Sequence, residues 1–186
     1  MNKLKKYFFP AIIGLLVLLP LVCIGSCLIS IFVPANPINL TGSMLDIDIP
    51  KGTTVLTNHD TGPGLPIPGG ASDGYTFIVL QIPSEKIVEF TDTLEASPLW
   101  NPLPLSPEFA GHDEEFQPSF GIEETIPITT STGYYFFIDY QEEYNKKKGE
   151  QIYDTTQPFY ERNSENFTFG LFNDKDGKLY LWSIDT

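Results

Sequence analysis

The sequence predicts an α+β fold: a mainly antiparallel sheet with one packed helix, preceded by a single N-terminal transmembrane helix. Three observations support this prediction. The first thirty-odd residues are apolar, later segments are rich in aromatic and β-branched residues, and one segment has apolar residues at helical spacing. The predicted division is 1–33 for cytoplasmic lysines and an anchor, 34–44 for a linker, and 45–186 for an extracytoplasmic acidic domain.

The N-terminal segment has the length of a membrane span. Residues 11–32 are apolar and uncharged, and a helix of this length at about 1.5 Å per residue crosses a hydrocarbon core of about 30 Å. Three lysines precede it, namely Lys3, Lys5 and Lys6. Because positive charge stays in the cytoplasm, the sequence predicts a single-pass protein of the cell membrane with its C-terminal domain outside.

Two other types of leader remain open for the same segment. A cleaved secretory signal fits the positive start and the small residues Gly25 and Ser26. A lipoprotein signal fits the sequence Ile-Gly-Ser-Cys at 24–27, in which Cys27 would be lipidated and become the N-terminus. All three interpretations place residues 45–186 outside the cytoplasm.

Charge limits the partners of the predicted domain. The 24 acidic residues of the chain all follow the apolar segment, together with 8 of the 11 basic residues, which gives a net charge of −16. This charge repels nucleic acid and anionic lipid and attracts cations or a basic protein, although solubility alone also explains it. Both cysteines, Cys23 and Cys27, lie in the apolar segment, so the domain has no disulfide framework and no thiolate zinc site.

The first half of the domain contains the predicted helix. Residues 45–49 alternate apolar and acidic and 53–56 are β-prone, so both are predicted as strands, whereas 59–74 is a loop rich in glycine and proline. Residues 75–82, apolar on both faces, predict a central strand. A helix is predicted over 84–96, capped by Ser84, ended by Pro98, and with one buried stripe: Ile87, Phe90 and Leu94.

The second half supplies the rest of the sheet. Residues 99–107 are too rich in proline for regular structure and are expected to pack Trp100 and the leucines on the sheet, and 109–132 is acidic and irregular. Residues 134–140 predict a second central strand, and 142–165 a polar region with Lys146-Lys147-Lys148 at a loop tip. Strands are predicted at 167–172 and 179–184, joined by a hairpin turn that contains Asp176-Gly177.

Histidine and acidic residues suggest a metal site only weakly. His59-Asp60 and the run from His112 to Glu115 contain zinc-type ligands, but both lie in predicted loops and nothing in the sequence brings them together. Residues 174–177 look like a calcium loop, yet Phe172 stands where the first aspartate ligand is needed, so a turn is favoured. The sequence therefore predicts no metal and no cofactor.

Catalytic residues are equally hard to assign. No G-x-S-x-G motif occurs, and Ser43, Ser72 and Ser106 lie in predicted loops. A carboxylate pair, for example Glu114 and Glu115, stays open as the basis of a hydrolase. Aromatic residues on the predicted strands are expected to form the core. The alternative is a sheet face that binds peptide or sugar through its tyrosines and tryptophan, namely Tyr75, Tyr134, Tyr135, Tyr140, Tyr180 and Trp182.

Several motifs after residue 72 are shared with a group of bacterial surface proteins. D-G-Y-T-F-I, W-N-P-L-P-L, G-Y-Y-F-F-I-D, N-F-T-F-G and L-Y-L-W-S-I-D-T resemble those of small membrane-anchored or lipoprotein-like proteins of Gram-positive bacteria, a group with no assigned function. The resemblance implies a location at a bacterial surface and no site residues.

The expected function is a tethered binding or interaction module rather than an enzyme. Its expected partners are the membrane, through the N-terminal helix, and a basic protein, but not nucleic acid. An immunity-like role, in which the acidic surface steers a cationic toxin, is one version. The alternative is a carboxylate-dependent hydrolase of cell-envelope material.

Overall fold

A computed structural model describes residues 36–61, 74–109, 111–118, 121–162 and 164–185. Within these ranges the helices are α1 (Pro37–Met44), α2 (Ile87–Ala96) and α3 (Tyr140–Lys148). The strands are β1 (Thr54–Asp60), β2 (Gly74–Gln81), β3 (Trp100–Pro102), β4 (Tyr134–Asp139), β5 (Asn166–Asn173) and β6 (Lys178–Asp185). The predicted anchor at 1–33 lies outside the described residues, and no helix within those residues has the length and apolarity needed for a membrane span.

The strands form one antiparallel sheet, which confirms the predicted α+β class. Their order is β1-β2-β6-β5-β4-β3, and every neighbouring pair is antiparallel. The β5–β6 hairpin closes between Asn173 and Lys178. Gly177 has a φ of 69° and its N–H donates to the carbonyl of Asn173 over 2.9 Å, so the predicted turn at Asp176-Gly177 is confirmed.

Both faces of the sheet are buried, which explains the two-sided apolar pattern of its central strands. On one face, the helix face, α2 and the residues after α1 cover buried side chains, among them Leu45, Ile78, Phe90, Leu94, Phe136, Phe172 and Leu181. On the other, the loop face, the irregular segments between β3 and β4 and before β5 bring in further buried groups, among them Phe77, Phe109, Phe116, Phe159, Phe169 and Trp182.

Helix α2 follows its predicted stripe but not its predicted cap. Phe90 and Leu94 are buried, Ile87 packs partly buried beside them, and the helix ends at Ala96. Ser84 instead begins a 3-10 turn preceded by Pro83, and the Ser84 hydroxyl contacts the Glu85 carboxylate rather than a backbone N–H. The predicted Ser84 cap is therefore wrong, since the 3-10 turn separates this residue from the α-helical start.

The segment at 45–49 is not a strand, and part of the predicted linker is helix α1. Leu45 and Ile47 donate backbone hydrogen bonds to Thr41 and Gly42, each over 3.0 Å, which closes the end of α1. Asp46 then has a φ of 49°, a conformation that interrupts an extended chain. The alternation in the sequence corresponds to alternating burial, because Leu45 is fully buried and Ile47 and Ile49 pack partly buried on the helix-face core, whereas Asp46 and Asp48 are exposed.

Three segments that were predicted as loops contain regular secondary structure. His59 and Asp60 belong to β1, while residues 62–73 of that predicted loop lie outside the described residues. Trp100 starts the short strand β3, and its predicted packing on the sheet is confirmed, because it is 5% exposed. The lysine run 146–148 forms the last turn of α3 rather than a loop tip, where cations interact favourably with the helix dipole.

Candidate binding pocket at the end of β4

The only arginine of the chain, Arg162, is held in a buried ion pair. Its side chain is 7% exposed and that of its partner Asp139 is 8% exposed. The Arg162 Nη1 group donates to Asp139 Oδ2, its Nε group donates to the carbonyl of Gln157 over 2.9 Å, and its Nη2 group lies 3.6 Å from Glu142 Oε1. The only guanidinium of the chain is therefore paired within the domain. A buried charge needs this kind of pairing, because it has lost its contact with water.

Asp139 joins the end of β4 to the start of α3. It has an extended backbone, and its carboxylate accepts hydrogen bonds from the N–H groups of Gln141 at 3.0 Å and Glu142 at 3.3 Å. This is the N-cap arrangement expected of an aspartate between an apolar strand and a polar helix. The Gln141 side chain donates to the carbonyl of Ser164 over 3.2 Å, which holds the segment before β5 against α3.

A cavity of 320 Å³ opens beside this ion pair. Its aromatic lining comes from Phe109, Phe137, Phe159 and Tyr160, and its carboxylates come from Glu108, Asp139 and Glu142. The Phe109 and Phe137 rings are 5.0 Å apart between centroids, and those of Phe137 and Phe159 are 4.9 Å apart. Arg162 pairs with Asp139 and lies 3.6 Å from Glu142, so three carboxylates and one guanidinium leave a net negative charge at this cavity. We call it the acidic pocket and its aromatic lining the aromatic floor.

The histidine and acidic residues considered as metal ligands make other contacts or are exposed. Asp60 Oδ1 accepts a hydrogen bond from the Thr76 hydroxyl over 2.9 Å. The His112 ring stacks on Tyr160 at 3.6 Å between centroids, next to the acidic pocket. Glu114 is exposed and Glu115 half-buried. No group of three or more histidine, cysteine, aspartate or glutamate residues in the described part of the chain could hold a metal ion.

Two of the three serines considered from the sequence lie among the described residues, and two of the strand aromatics lie in the core. Ser106 donates to the Glu108 carboxylate over 2.9 Å, Ser43 lines a shallow cavity beside α1, and Ser72 lies outside the described residues. Tyr180 and Trp182 are 4% and 2% exposed, so they belong to the core of the loop face. Burial raises the pKa of Tyr180 to about 12, with the charges of Asp176 and Glu124 adding to the effect.

A second acidic position lies where the chain enters β5. Burial raises the pKa of the Glu165 carboxyl, and the negative charge of Glu115 raises it further. One member of the acid pair considered from sequence, Glu115, is therefore electrostatically coupled to Glu165. Its sequence neighbour Glu114 is exposed instead.

Sequence reasoning missed the acidic pocket because its residues are far apart in the chain. Asp139 and Arg162 are 23 positions apart, and Glu108 comes from yet another segment. Two signals pointed there: a single arginine in a strongly acidic chain, and an aspartate directly after an apolar strand. An arginine of this kind is frequently used in a buried pair, since its planar group satisfies several acceptors at once.

Comparisons of the chain with protein-family models, with curated proteins and with solved structures give no match. The molecule is therefore characterised by its own geometry. The described part of the chain is an α+β domain whose antiparallel sheet is buried on both faces. Its acidic pocket lies where β4, α3 and the segment before β5 meet.

Proposed function

We propose that the protein is a single-pass, membrane-tethered extracytoplasmic module that binds a basic protein through its acidic α+β domain. The observation that carries the proposal is the acidic pocket, which is lined by both carboxylates and aromatic rings while the only arginine of the chain is already paired. An immunity-like role against a cationic toxin is one version of this function. A tether would keep the domain at the membrane, where such a protein arrives.

A lysine or arginine side chain has the chemistry that fits the acidic pocket. Its apolar stem matches the rings of Phe109 and Phe159, and its cationic head matches the carboxylates of Glu108 and Glu142. A cation over an aromatic face contributes about 0.5–2 kcal/mol. Long-range attraction by the net charge of −16 would add to the rate of association.

The binding proposal is tested with two variants that remove the same charge. Glu108→Gln with Glu142→Gln changes the acidic pocket, whereas Glu95→Gln with Glu150→Gln changes two exposed carboxylates elsewhere. The probe is a lysine-rich peptide, compared with its lysine-acetylated form, bound to the full chain in non-ionic detergent. We expect the pocket variant to lose about tenfold in affinity and the control about twofold or less. Equal losses of affinity in the two variants would show that only net charge matters, which would refute binding in the acidic pocket.

The proposed topology has a separate test. Protease added to intact protoplasts should remove the C-terminal domain if the lysines at the N-terminus stay in the cytoplasm. Survival of the domain would reverse the orientation. Incorporation of labelled palmitate at Cys27 would select the lipoprotein alternative, and a Cys27→Ser variant is the control for that labelling.

A carboxylate-dependent hydrolase of the cell envelope is the second candidate. The observation in its favour is Glu165, whose pKa is raised by burial and by Glu115 as a general acid requires. The test is release of soluble fragments from purified cell wall by the full chain. Activity that is lost in both Glu115→Gln and Glu165→Gln, and kept in Glu114→Gln, would replace the binding proposal with the enzyme.

A further inference from the structure

The two edges of the sheet are protected to different degrees. The edge strand β3 has three residues and includes Pro102, and Pro104 follows it. The opposite edge strand β1 has seven residues, and neither proline nor lysine occurs in it. Short strands, prolines and lysines are the usual means by which proteins prevent an edge from pairing with another chain. Edge β3 has two of these features, whereas edge β1 has none of the three and is interrupted only by a register shift between Val55 and Thr57.

Strand β1 is also accessible along its length. Apart from the half-buried Thr57, its residues are exposed, and among them Val55 is 39% and Leu56 49% exposed. Among the described residues, β2 is the only strand that pairs with β1. The pairing with β2 shifts register between Val55 and Thr57, and beyond that shift a regular antiparallel ladder continues to Asp60. Within the described part of the chain no other strand covers the outer edge from Thr54 to His59, and this stretch offers backbone donors and acceptors to an added strand.

We infer that the outer edge of β1 binds an extended segment of a basic protein, which adds a seventh strand to the sheet. Charge decides between this occupant and a second copy of the chain, because two copies would each bring a domain of net charge −16 into contact. A segment with alternating basic residues has the opposite charge. The basic character of the partner rests on the proposed function, whereas the availability of the edge does not.

Acidic groups lie on both sides of the edge. Asp60 is opposite Thr76, on the helix face. Thr57 is opposite Val79, on the loop face, and its hydroxyl donates to the Glu124 carboxylate. Because side chains of an added strand alternate between the two faces, alternating basic residues would all lie on one face. That face carries either Asp60, which also accepts from Thr76, or Glu124, which also lies 3.8 Å from Lys178.

The probe for this proposal is a peptide of about eight residues in which lysine and valine alternate, a length that matches β1 at about 3.4 Å per residue. It is mixed with the full chain in non-ionic detergent micelles, and amide hydrogen exchange is measured. We expect slower exchange in β1 and no change in β3. Absence of binding, or binding without protection of β1, overturns the proposal, as does equal binding of the same peptide with N-methylated backbone amides.

Two matched variants separate an edge effect from a charge effect. Leu56→Lys with Asn58→Lys places lysines on the edge, and Val88→Lys with Ile152→Lys adds the same charge at exposed sites elsewhere. The edge variant should lose about tenfold in peptide affinity, and the control about twofold or less. Equal losses in the two variants overturn the proposal.

The same peptide distinguishes the edge from the acidic pocket. Glu108→Gln with Glu142→Gln should leave the protection of β1 unchanged. If this variant abolishes binding, the peptide occupies the pocket, which refutes the edge proposal and leaves the proposed function intact. If a glutamate-valine peptide protects β1 as strongly as the lysine-valine peptide, the edge binds a strand but the basic class of partner is refuted.

Discussion

Replacing Arg162 with methionine removes the guanidinium from the interior and keeps a side chain of similar length. The change leaves the Asp139 carboxylate, which is 8% exposed, without its cation. It also leaves the carbonyl of Gln157 without the donor that reaches it over 2.9 Å. The free energy of unfolding should therefore fall, because a buried charge without a partner is costly.

The expected loss is about 3 kcal/mol. Removing one partner of a buried ion pair costs about 3–5 kcal/mol. The low end applies here because Asp139 keeps its hydrogen bonds from the N–H groups of Gln141 at 3.0 Å and Glu142 at 3.3 Å. At about 2–4 °C per kcal/mol for a domain of this size, Tm should fall by about 6–12 °C.

The loss is measured by urea unfolding of the full chain in non-ionic detergent, followed by tryptophan fluorescence. Trp100 and Trp182 are the only tryptophans of the chain, and they are 5% and 2% exposed, so their emission reports the core of the domain. A second variant, Arg162→Met with Asp139→Asn, removes both charges and should recover part of the loss. With the single variant Asp139→Asn, the three losses complete a double-mutant cycle that gives the coupling energy between the two side chains.

An exposed ion pair serves as the control. Lys86 lies 2.7 Å from Glu89, with side chains 42% and 72% exposed, and Lys86→Met should cost at most about 1 kcal/mol. A loss for Arg162→Met no larger than this would refute the reasoning. A loss that disappears in about 1 M salt, where the Debye length is about 3 Å, would show that the Arg162 pair is screened like a surface pair.

Three further changes test other parts of the domain by the same unfolding assay. The raised pKa of Glu165 means that its charged form destabilises the fold at neutral pH, so Glu165→Gln should stabilise the domain at pH 7. This gain should fade as the pH falls to about 4, where the carboxyl is protonated in the unfolded chain as well, and a gain that stays constant would refute the reasoning. Gly133→Ala places a Cβ 1.9 Å from the Phe172 carbonyl oxygen at a φ of 113°, whereas Gly149→Ala, at a φ of 70°, meets open space. Gly149→Ala should lower the free energy of unfolding by about 1 kcal/mol, and Gly133→Ala should lower it by several times as much. Phe116 is fully buried, and Phe116→Ala should cost about 3–5 kcal/mol; a loss under about 1 kcal/mol would contradict its place in the core.

The sheet could be predicted from sequence where the pattern is long and two-sided. The segment 75–82 became β2 at Gly74–Gln81, and the hairpin of β5 and β6 follows from apolar runs on either side of an Asp-Gly turn. Such runs have few alternatives, because they must be buried on both faces. Helix α2 was predictable for a related reason, since its stripe of apolar residues has the period of a helix.

The wrong predictions share a different cause. At 45–49, alternation does not distinguish a strand from an irregular segment that packs its apolar residues on the core and turns at Asp46. Helix α3 is polar throughout, so it has no stripe to reveal it, and it depends on Asp139 at its start and Gly149 at its end. The acidic pocket depends on contacts between distant segments, which a single sequence does not specify.

The strong negative charge of the domain has two explanations, solubility and binding, and the position of the carboxylates decides between them. Lys86 pairs with Glu89 of the helix that follows it, Lys146 pairs with Glu143 of its own helix, and Arg162 is buried. Solubility requires only that the remaining charge be spread over the surface, so any two carboxylates should matter equally. The proposed binding function requires that the carboxylates lining the acidic pocket, Glu108 and Glu142, matter more than an equal number elsewhere, because the aromatic rings beside them would contact the stem of a basic side chain.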